Sequence, residues 1–353
     1  MYSEKLELYT IKTCELYEIE QLMKFIDSYW SKGHILSKNK ELMDWQFLNK
    51  RNQCYNFLLA KDNYTQEIIG ILGFIPTNHF DEKIDDNDKY IWLANWKIRD
   101  DISVDGLGLR LLNGVFKAEA TRNIGTVGNN EKVAVLYRAL KFITGTMERY
   151  VIINNRMQKF TLIDNPRPGN SMVNRKSEIY SVSLDEPEFR NFCEYIKPTL
   201  LKSFPIKTVD YFVNRYLRHP FYKYHVLGIY EANIPIAFIV YRVAEYEGAY
   251  ALRIVDMHGN IDKLTGFYDN IQSLLSKHHA EYADIYCAGI NGEFLKNAGF
   301  FKHNSTDLMI IPNYFEPLVK KNVDVLFSYH LSNKQSKYAI FKGDSDQDRP
   351  NFI

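Results

Sequence analysis

Apolar and polar positions alternate along this chain with periods that predict helices and strands in mixed order. Between residues 14 and 29 the apolar residues recur at helical spacing. Two β-rich runs, 57–61 and 68–75, flank a polar turn and predict a hairpin. The other elements predicted in this half are a strand at 91–98, a helix at 109–119, a strand at 124–127, a helix at 131–140 and a strand at 150–153. This order predicts an α/β fold with a central mixed sheet.

The second half repeats much of this order. Its predicted elements are a helix at 187–196, a hairpin within 225–243, a strand at 250–256, a helix at 261–275, a strand at 283–288 and a short helix at 292–297. Phe142 closes LYRALKF and Phe300 closes FLKNAGF, and the same offset of 158 residues superimposes the flanking strands. We therefore expect two similar domains, 1–160 and 177–353, joined by a linker at 161–176 that is rich in Pro, Gly and Asn.

A Gly-Leu-Gly turn follows the strand at 91–98 and precedes a helix expected to start at Leu109. Gly106 and Gly108 allow a tight turn with exposed N–H groups, and the helix start adds its own unpaired N–H groups and positive dipole end. Such a turn can hold a pyrophosphate, although an ordinary strand-to-helix turn has the same sequence pattern. Shifted by 158 residues, Gly106 falls on Leu264, so the second half is expected to have lost this phosphate cradle.

Composition excludes several other classes of protein. Lys and Arg number 44 against 43 Asp and Glu, so no strong overall charge would hold nucleic acid or an anionic membrane. The N-terminus has no signal-peptide pattern and no apolar run reaches about 18 residues, so we expect a cytoplasmic protein without membrane insertion. The four cysteines lack CxxC spacing, and we expect neither a disulfide framework nor a bound metal.

The loop from Ser103 to Gly108, together with Asn130, Tyr137 and Phe142, resembles the GNAT superfamily of acyl-CoA-dependent N-acyltransferases. Ser103 replaces the family's Gln or Arg, and Val133 and Lys141 replace an Ala and a Gly. The resemblance implies two GNAT-like domains, each with a mixed, mostly antiparallel sheet flanked by helices, and acyl-CoA as co-substrate. The cofactor-binding residues that it implies are Lys97, Ile98, Ser103, Val104, Asp105, Gly106, Leu107, Gly108, Leu109, Asn130 and Tyr137.

The whole chain, including IIPNYFEP and the ending FKGDSDQDRPN, resembles tandem-GNAT sugar N-acyltransferases. That resemblance implies transfer of an acetyl or 3-hydroxybutanoyl group from acyl-CoA to the amino group of a nucleotide-linked, dTDP-type amino-deoxy sugar, in O-antigen, lipopolysaccharide or capsule synthesis. Two alternatives stay open: a Fem-type peptidyl transferase that uses aminoacyl-tRNA, and a non-catalytic acyl-CoA sensor. The balanced charge and the intact Gly-Leu-Gly turn count against the first alternative.

Acyl transfer needs a neutral amine, a polarised thioester carbonyl and a proton for the leaving thiolate. Tyr137 occupies the family's proton-donor position, although it could equally be a packing ring. In the family, a backbone N–H on the strand before the loop binds the thioester oxygen, a role that falls here near Trp96. Asn95, Asp100 and His79 lie near strand or loop ends. They are candidates for the base, or for acceptor binding in the case of His79. Proton removal by water stays open.

The acceptor is expected to contact the second half. Asp256 and His258 would share one face of a strand, whereas Arg253 has the opposite parity unless a bulge intervenes. Arg242 could add a phosphate contact. The polar ending contributes Asp346, Asp348 and Arg349 as further candidates. The alternatives are a structural Asp–His pair, a solvated arginine and a solvated tail, with the aromatic run at 211–224 packed in the core instead of stacked on a base.

Overall fold

The structure is a computed structural model that describes residues 8–167, 178–200, 203–313, 319–333 and 337–351. The chain forms two compact units, the first comprising residues 1–126 and 350–353 and the second residues 127–349. Part of the predicted linker, 168–176, lies outside the described residues. The domain limits at 160 and 177 stay predictions.

The first unit is an open sheet with helices packed on it. Its elements are β1 (Tyr9–Glu15), α1 (Ile19–Phe25), α2 (Ile35–Lys38), α3 (Lys40–Phe47), β2 (Leu48–Asn49), β3 (Cys54–Asp62), β4 (Ile68–Pro76), β5 (Ile91–Ile98), α4 (Leu107–Glu119) and the first half of β6 (Ile124–Asn129). The strand order is β1-β3-β4-β5-β6, with β2 beside β3. All pairs are antiparallel except β5–β6, which is parallel.

The predicted hairpin is confirmed, because Phe57 of β3 lies opposite Gly73 of β4. The predicted helix at 14–29 is wrong at its start. Cys14 belongs to β1, where it lies opposite Tyr55, and the α-helix begins only at Ile19. The apolar residues keep helical spacing back into β1, where apolar and polar residues alternate only weakly. The predicted helix therefore started inside this strand. The helices α2 and α3 were not predicted.

The second unit contains the remaining elements. They are α5 (Glu131–Ala139), β7 (Ile143–Thr146), β8 (Glu148–Ile153), β9 (Ile179–Leu184), α6 (Glu186–Leu200), α7 (Val209–Phe212), β10 (His225–Glu231), β11 (Ile234–Tyr246), β12 (Ala249–Gly259), α8 (Tyr268–Lys277), β13 (Ala280–Ala288), α9 (Gly292–Asn297), β14 (Phe301–His303), β15 (Leu326–His330) and β16 (Ile340–Phe341). The order of its large sheet is β14-β8-β13-β12-β11-β10-β9, with β16 beside β13. The pair β12–β13 is parallel.

The internal repeat is present between residues 91–146 and residues 249–303. Shifted by 158 residues, β5, α4, β6, α5 and β7 fall on β12, α8, β13, α9 and β14. The offset fails for β3 and β4, so the duplication is visible as a shared β-α-β-α-β run. One strand was assigned to the wrong sheet: β8 was expected to complete the first half, but it pairs with β13 and β14.

Apolar packing on a helix holds the large sheet of the second unit. In the second unit, Ile271 and Leu275 of α8 pack with Ile254 of β12 and Ile285 of β13 in one buried cluster. The fold is therefore α+β, with two mixed, mostly antiparallel sheets flanked by helices, as predicted. Among the described helices, none has both the length and the apolar character needed to cross a bilayer.

Candidate active site

The connection from β5 to α4 forms the tight glycine turn that the sequence predicts. Gly106 is the N-cap of α4 with φ 72°, and the helix starts at Leu107 rather than Leu109. Leu107 donates its N–H to the Val104 carbonyl (3.3 Å), and Arg110 donates to the Gly106 carbonyl (3.0 Å). The N–H groups of Gly108 and Leu109 have no carbonyl one turn earlier in the helix, so they are the donors available to an anion.

β5 carries a bulge at Asn95. Gly73 lies opposite Ala94 and Ile71 opposite Lys97, so β5 has one residue more than β4 across this step. Asn95 takes a left-handed conformation (φ 49°), which asparagine tolerates better than most residues. Its side chain is 5% exposed, and neither Oδ1 nor Nδ2 has a hydrogen-bond partner in the described part of the chain. A buried amide left unsatisfied costs about 1–3 kcal/mol, so Asn95 is a candidate for a polar contact that the described residues do not supply.

The other residues around α4 that were predicted to bind acyl-CoA differ in the contacts that they can make. Leu107 is fully buried and its N–H is already bonded, so it contributes packing and not a contact. Ser103, Asp105 and Leu109 are exposed, whereas Val104 and Ile98 are half-buried.

Three further candidates of the first unit lie on or near β5 and β4. Lys97 Nζ is 2.7 Å from both carboxylate oxygens of Asp100, whose side chain is 84% exposed. Asp100 thus lies in a surface ion pair. His79 follows β4, and its Nε2 is 2.8 Å from the Trp45 carbonyl oxygen, so this ring is tied to the backbone. Trp96 is half-buried and lies against the first turn of α4.

Asn130 and Tyr137 lie in the second unit, on α5. Asn130 is the N-cap of that helix, where its Oδ1 accepts the Val133 N–H (3.0 Å). Its side chain thus has a structural partner. Tyr137 is 1% exposed and packs against Phe142 with ring centroids 4.9 Å apart. Burial raises the pKa of the Tyr137 phenol well above its usual range, so the group carries its proton at neutral pH.

In the second unit, a bulge in β12 brings the predicted acceptor residues onto one face. Asp256 lies opposite Val240, but Ile254 lies opposite the next residue of β11, Tyr241. The extra residue, Val255, reverses the alternation of side chains, so Asp256 and His258 share the face of Arg253. The bulge that Arg253 needs in order to lie beside Asp256 and His258 is therefore present.

Arg253 is fully buried, so the alternative of a solvated arginine is wrong. Its Nη1 donates to Asp284 Oδ2 (2.8 Å), and Arg149 Nη2 donates to the same oxygen (2.7 Å). Arg253 Nη2 also donates to the Asn313 carbonyl (3.0 Å), while its Nε has no partner among the described residues. Two buried guanidinium groups therefore share one carboxylate oxygen.

Asp256 forms a second buried group with residues far away in sequence. Its Oδ2 accepts hydrogen bonds from Lys207 Nζ (2.8 Å) and from the Tyr216 hydroxyl (2.7 Å). Lys207 also donates to Asp344 Oδ2 (2.9 Å). His258 Nε2 is 3.8 Å from Asp256 Oδ1, too far for a hydrogen bond. Burial lowers the pKa of His258 to about 4, so the imidazole is neutral.

The C-terminal tail, residues 340–349, is buried along this face, which overturns the alternative of a solvated tail. Asp348 accepts hydrogen bonds from Arg242 Nε (3.2 Å) and from the Tyr224 hydroxyl (2.5 Å), and Lys342 Nζ is 3.0 Å from its Oδ1. Burial acts to raise the pKa of Asp348, but Arg242 and Lys342 hold it well below its usual range.

Two of the remaining tail candidates, Asp346 and Arg349, pair with each other at 3.6 Å. The hydroxyl groups of Tyr216 and Tyr224 are committed to the buried network, so these rings belong to the core, as the alternative interpretation of the aromatic run holds. In the described residues no cluster of three or more His, Cys, Asp or Glu side chains is arranged to hold a metal. All four cysteines are free.

Several members of the buried network were missed from sequence. They are Arg149, Lys207, Asp284, Lys342 and Asp344, none of which was a candidate site residue. Asp284 is the one acidic residue of the strand predicted at 283–288, a signal that could have singled it out. Lys207 lies in a segment without periodic pattern, and only the tertiary structure reveals its partners.

No family model matches the chain, and no curated protein matches it in sequence. Among solved structures, it resembles a GCN5-related N-acetyltransferase from Anabaena variabilis (12% identity, 92% of this chain and 73% of that one, TM-score 0.52). It also resembles a probable N-acyltransferase from Enterococcus faecalis (10% identity, 91% and 72%, TM-score 0.54). A third similar structure is a fungal GCN5-related glucosamine N-acetyltransferase region of a multi-domain GH3 β-N-acetylglucosaminidase (10% identity, 91% and 38%, TM-score 0.54). At these identities the likeness concerns the fold alone, and this chain therefore has a GNAT-like fold.

Proposed function

We propose that this protein is an N-acyltransferase that moves an acyl group from acyl-CoA to the amino group of a nucleotide-linked amino-deoxy sugar. The observation that carries the donor half of this proposal is the bulge of β5. It places the buried, unpartnered amide of Asn95 on the strand that leads into the open N–H groups of Gly108 and Leu109. An acyl-CoA has a pyrophosphate for those N–H groups and polar acyl and pantetheine groups for the amide.

Each residue then has a limited role. The first turn of α4 binds the pyrophosphate through backbone donors, and the Asn95 amide positions the acyl group or the attacking amine by hydrogen bonds. An amide is not a base at neutral pH, so the amine loses its proton to water. The nitrogen attacks the thioester carbon and the C–S bond breaks. Tyr137, assigned by its position in the family's motif and kept protonated by burial, gives its proton to the leaving thiolate and regains the proton that water took from the amine.

Two observations support the choice of an amino sugar as acceptor. One structural neighbour is a glucosamine N-acetyltransferase region, and the chain ends in the DSDQDRPN segment on which the resemblance to sugar N-acyltransferases rests. Arg242, Arg253, Asp256 and His258 are the proposed acceptor-site residues, and each is buried. The first three are held in ion pairs and would therefore position the site instead of touching the acceptor.

The test is thiol release by the full chain with acetyl-CoA or 3-hydroxybutanoyl-CoA and a panel of dTDP- and UDP-linked amino sugars. Asn95→Gly is the informative variant, because glycine adopts a positive φ without strain and only the amide is lost. We expect kcat to fall on the order of 10²-fold, while the matched variant Asn49→Gly, which removes a partly exposed amide, leaves kcat unchanged. Tight CoA binding without turnover on any acceptor would identify a sensor, and turnover only with aminoacyl-tRNA would identify a Fem-type transferase.

A further inference from the structure

Two parallel strand pairs are found in the described part of the chain, and each is bonded over only part of its length. In the first unit, β5 pairs with β6 only at Ile91 and Trp92, although β5 continues to Ile98. In the second unit, β12 pairs with β13 from Tyr250 to Ile254. Beyond Ile254 of β12 and Ile285 of β13 the two strands of the second pair are no longer bonded to each other. The backbone groups that face the cleft between them need other partners.

In the second unit the tail fills this cleft. β16 pairs with the end of β13, with Phe341 opposite Cys287. The Lys342 N–H then donates to the Tyr286 carbonyl on β13 (3.1 Å), and the Gly343 N–H donates to the Val255 carbonyl on β12 (2.7 Å). Successive residues of the tail thus bond to both strands of the opened pair.

The fit at Gly343 is too close for any side chain. A Cβ at this position would lie 2.2 Å from the Tyr216 hydroxyl oxygen and 2.8 Å from the Val255 carbonyl oxygen. Glycine is therefore required here because the backbone passes directly over β12.

Charge holds the tail on the same face. Asp344 pairs with Lys207, and Asp348 pairs with Arg242, all of them buried. Without the tail these two cations would face an emptied cleft with fewer carboxylates to compensate them, at high cost in a low-dielectric interior. The tail therefore satisfies both the backbone groups and the charges of the cleft.

We propose that residues 340–348 are a permanent occupant of the cleft in the second unit, so that the chain binds one acyl-CoA, in the first unit only. This inference rests on the proposed function for its ligand. A second acyl-CoA would have to displace a strand bonded to β12 and β13 and two buried carboxylates. The start of α8 agrees with this, because Leu264, at the position of Gly106, is buried and the helix begins only at Tyr268.

Hydrogen exchange with mass spectrometry tests the occupant directly. In the full chain, the amides of Lys342 and Gly343 should exchange on the order of 10³-fold more slowly than in an unfolded peptide, and saturating acetyl-CoA should not change their rate. Rapid exchange, or deprotection when acetyl-CoA is added, would overturn the proposal.

Calorimetric titration with acetyl-CoA tests the stoichiometry. We expect one site per chain, with affinity lowered at least tenfold by Gly108→Val and unchanged by Lys263→Ala, a matched exposed position before α8. Two sites per chain, or loss of the single site in Lys263→Ala, would overturn the inference. No binding at all would instead refute the proposed function, and the exchange rates would still decide whether the tail stays in the cleft.

Discussion

Gly108 lies directly against Trp96, so that a Cβ on this glycine would lie 3.2 Å from the indole Cζ2. The first turn of α4 therefore packs on the strand that carries the Asn95 bulge, and the absence of a side chain at Gly108 sets their separation. Gly106 has open space around it, so a side chain would fit there. Glycine is favoured at this position because its φ is 72°. The two glycines of one turn serve different physical purposes.

This difference predicts that a substitution at Gly108 changes KM and a substitution at Gly106 changes the free energy of unfolding. Gly108→Val should raise KM for acyl-CoA at least about tenfold, because the added methyl groups push the helix start away from Trp96 and narrow the approach to its N–H groups. Gly106→Ala should lower the free energy of unfolding by roughly 1 kcal/mol through left-handed strain and leave KM nearly unchanged. Steady-state kinetics and urea titration of both variants measure this. Equal KM values for Gly108→Val and the unmodified protein would show that the donor binds elsewhere.

Tyr137→Phe separates the proton donor from the packing ring. The variant keeps the contact with Phe142 and loses only the hydroxyl, so we expect kcat to fall roughly 10²-fold while KM for acyl-CoA is unchanged. Since burial keeps the pKa of Tyr137 above its usual range, kcat of the unmodified enzyme should show no inflection from this group below about pH 10. Unchanged kcat in Tyr137→Phe would assign the ring to the core alone.

Asp348→Asn tests the charge balance of the tail. The substitution leaves Arg242 and Lys342 buried without their carboxylate, and breaking a buried pair in this way costs about 3–5 kcal/mol. The midpoint of urea unfolding should fall accordingly. Asp262→Asn, on an exposed position of the same unit, serves as control with an expected change below about 0.5 kcal/mol. Similar midpoints for the two variants would mean that Asp348 contributes little to stability.

Because the His258 imidazole is buried, we expect the protein to lose stability in mild acid. Its pKa is lowered by burial from 6.5 to about 4, so between these values the unfolded chain binds a proton that the folded chain excludes. The free energy of unfolding therefore falls as pH decreases from 6.5 toward 4. His258→Gln should make this dependence shallower, measured by urea unfolding at several pH values. His279→Asn removes an exposed imidazole, at a position with φ 50° that asparagine tolerates, and should leave the slope unchanged.

Several elements could be predicted from the sequence because their signals are local. The strand Ile91–Ile98 and the helix Gly292–Asn297 were predicted with their observed bounds, since apolar periodicity and flanking turn residues lie within a few residues of each element. The offset of 158 residues worked for the same reason: it compares local patterns in two places. The start of α4 was missed by two residues because Gly106 is itself the N-cap.

The fold class, the internal repeat and the position of the glycine turn follow from the order of the residues alone. Three other features depend on contacts that are distant in sequence: the pairing of β8 with β13, the bulge at Val255 that brings Asp256 and Arg253 onto one face, and the position of the tail in the cleft of the second unit. Local periodicity specifies which residues form a strand. The partner of that strand depends on hydrogen bonds and charges contributed by residues more than a hundred positions away, such as Arg149 with Asp284 and Lys207 with Asp344.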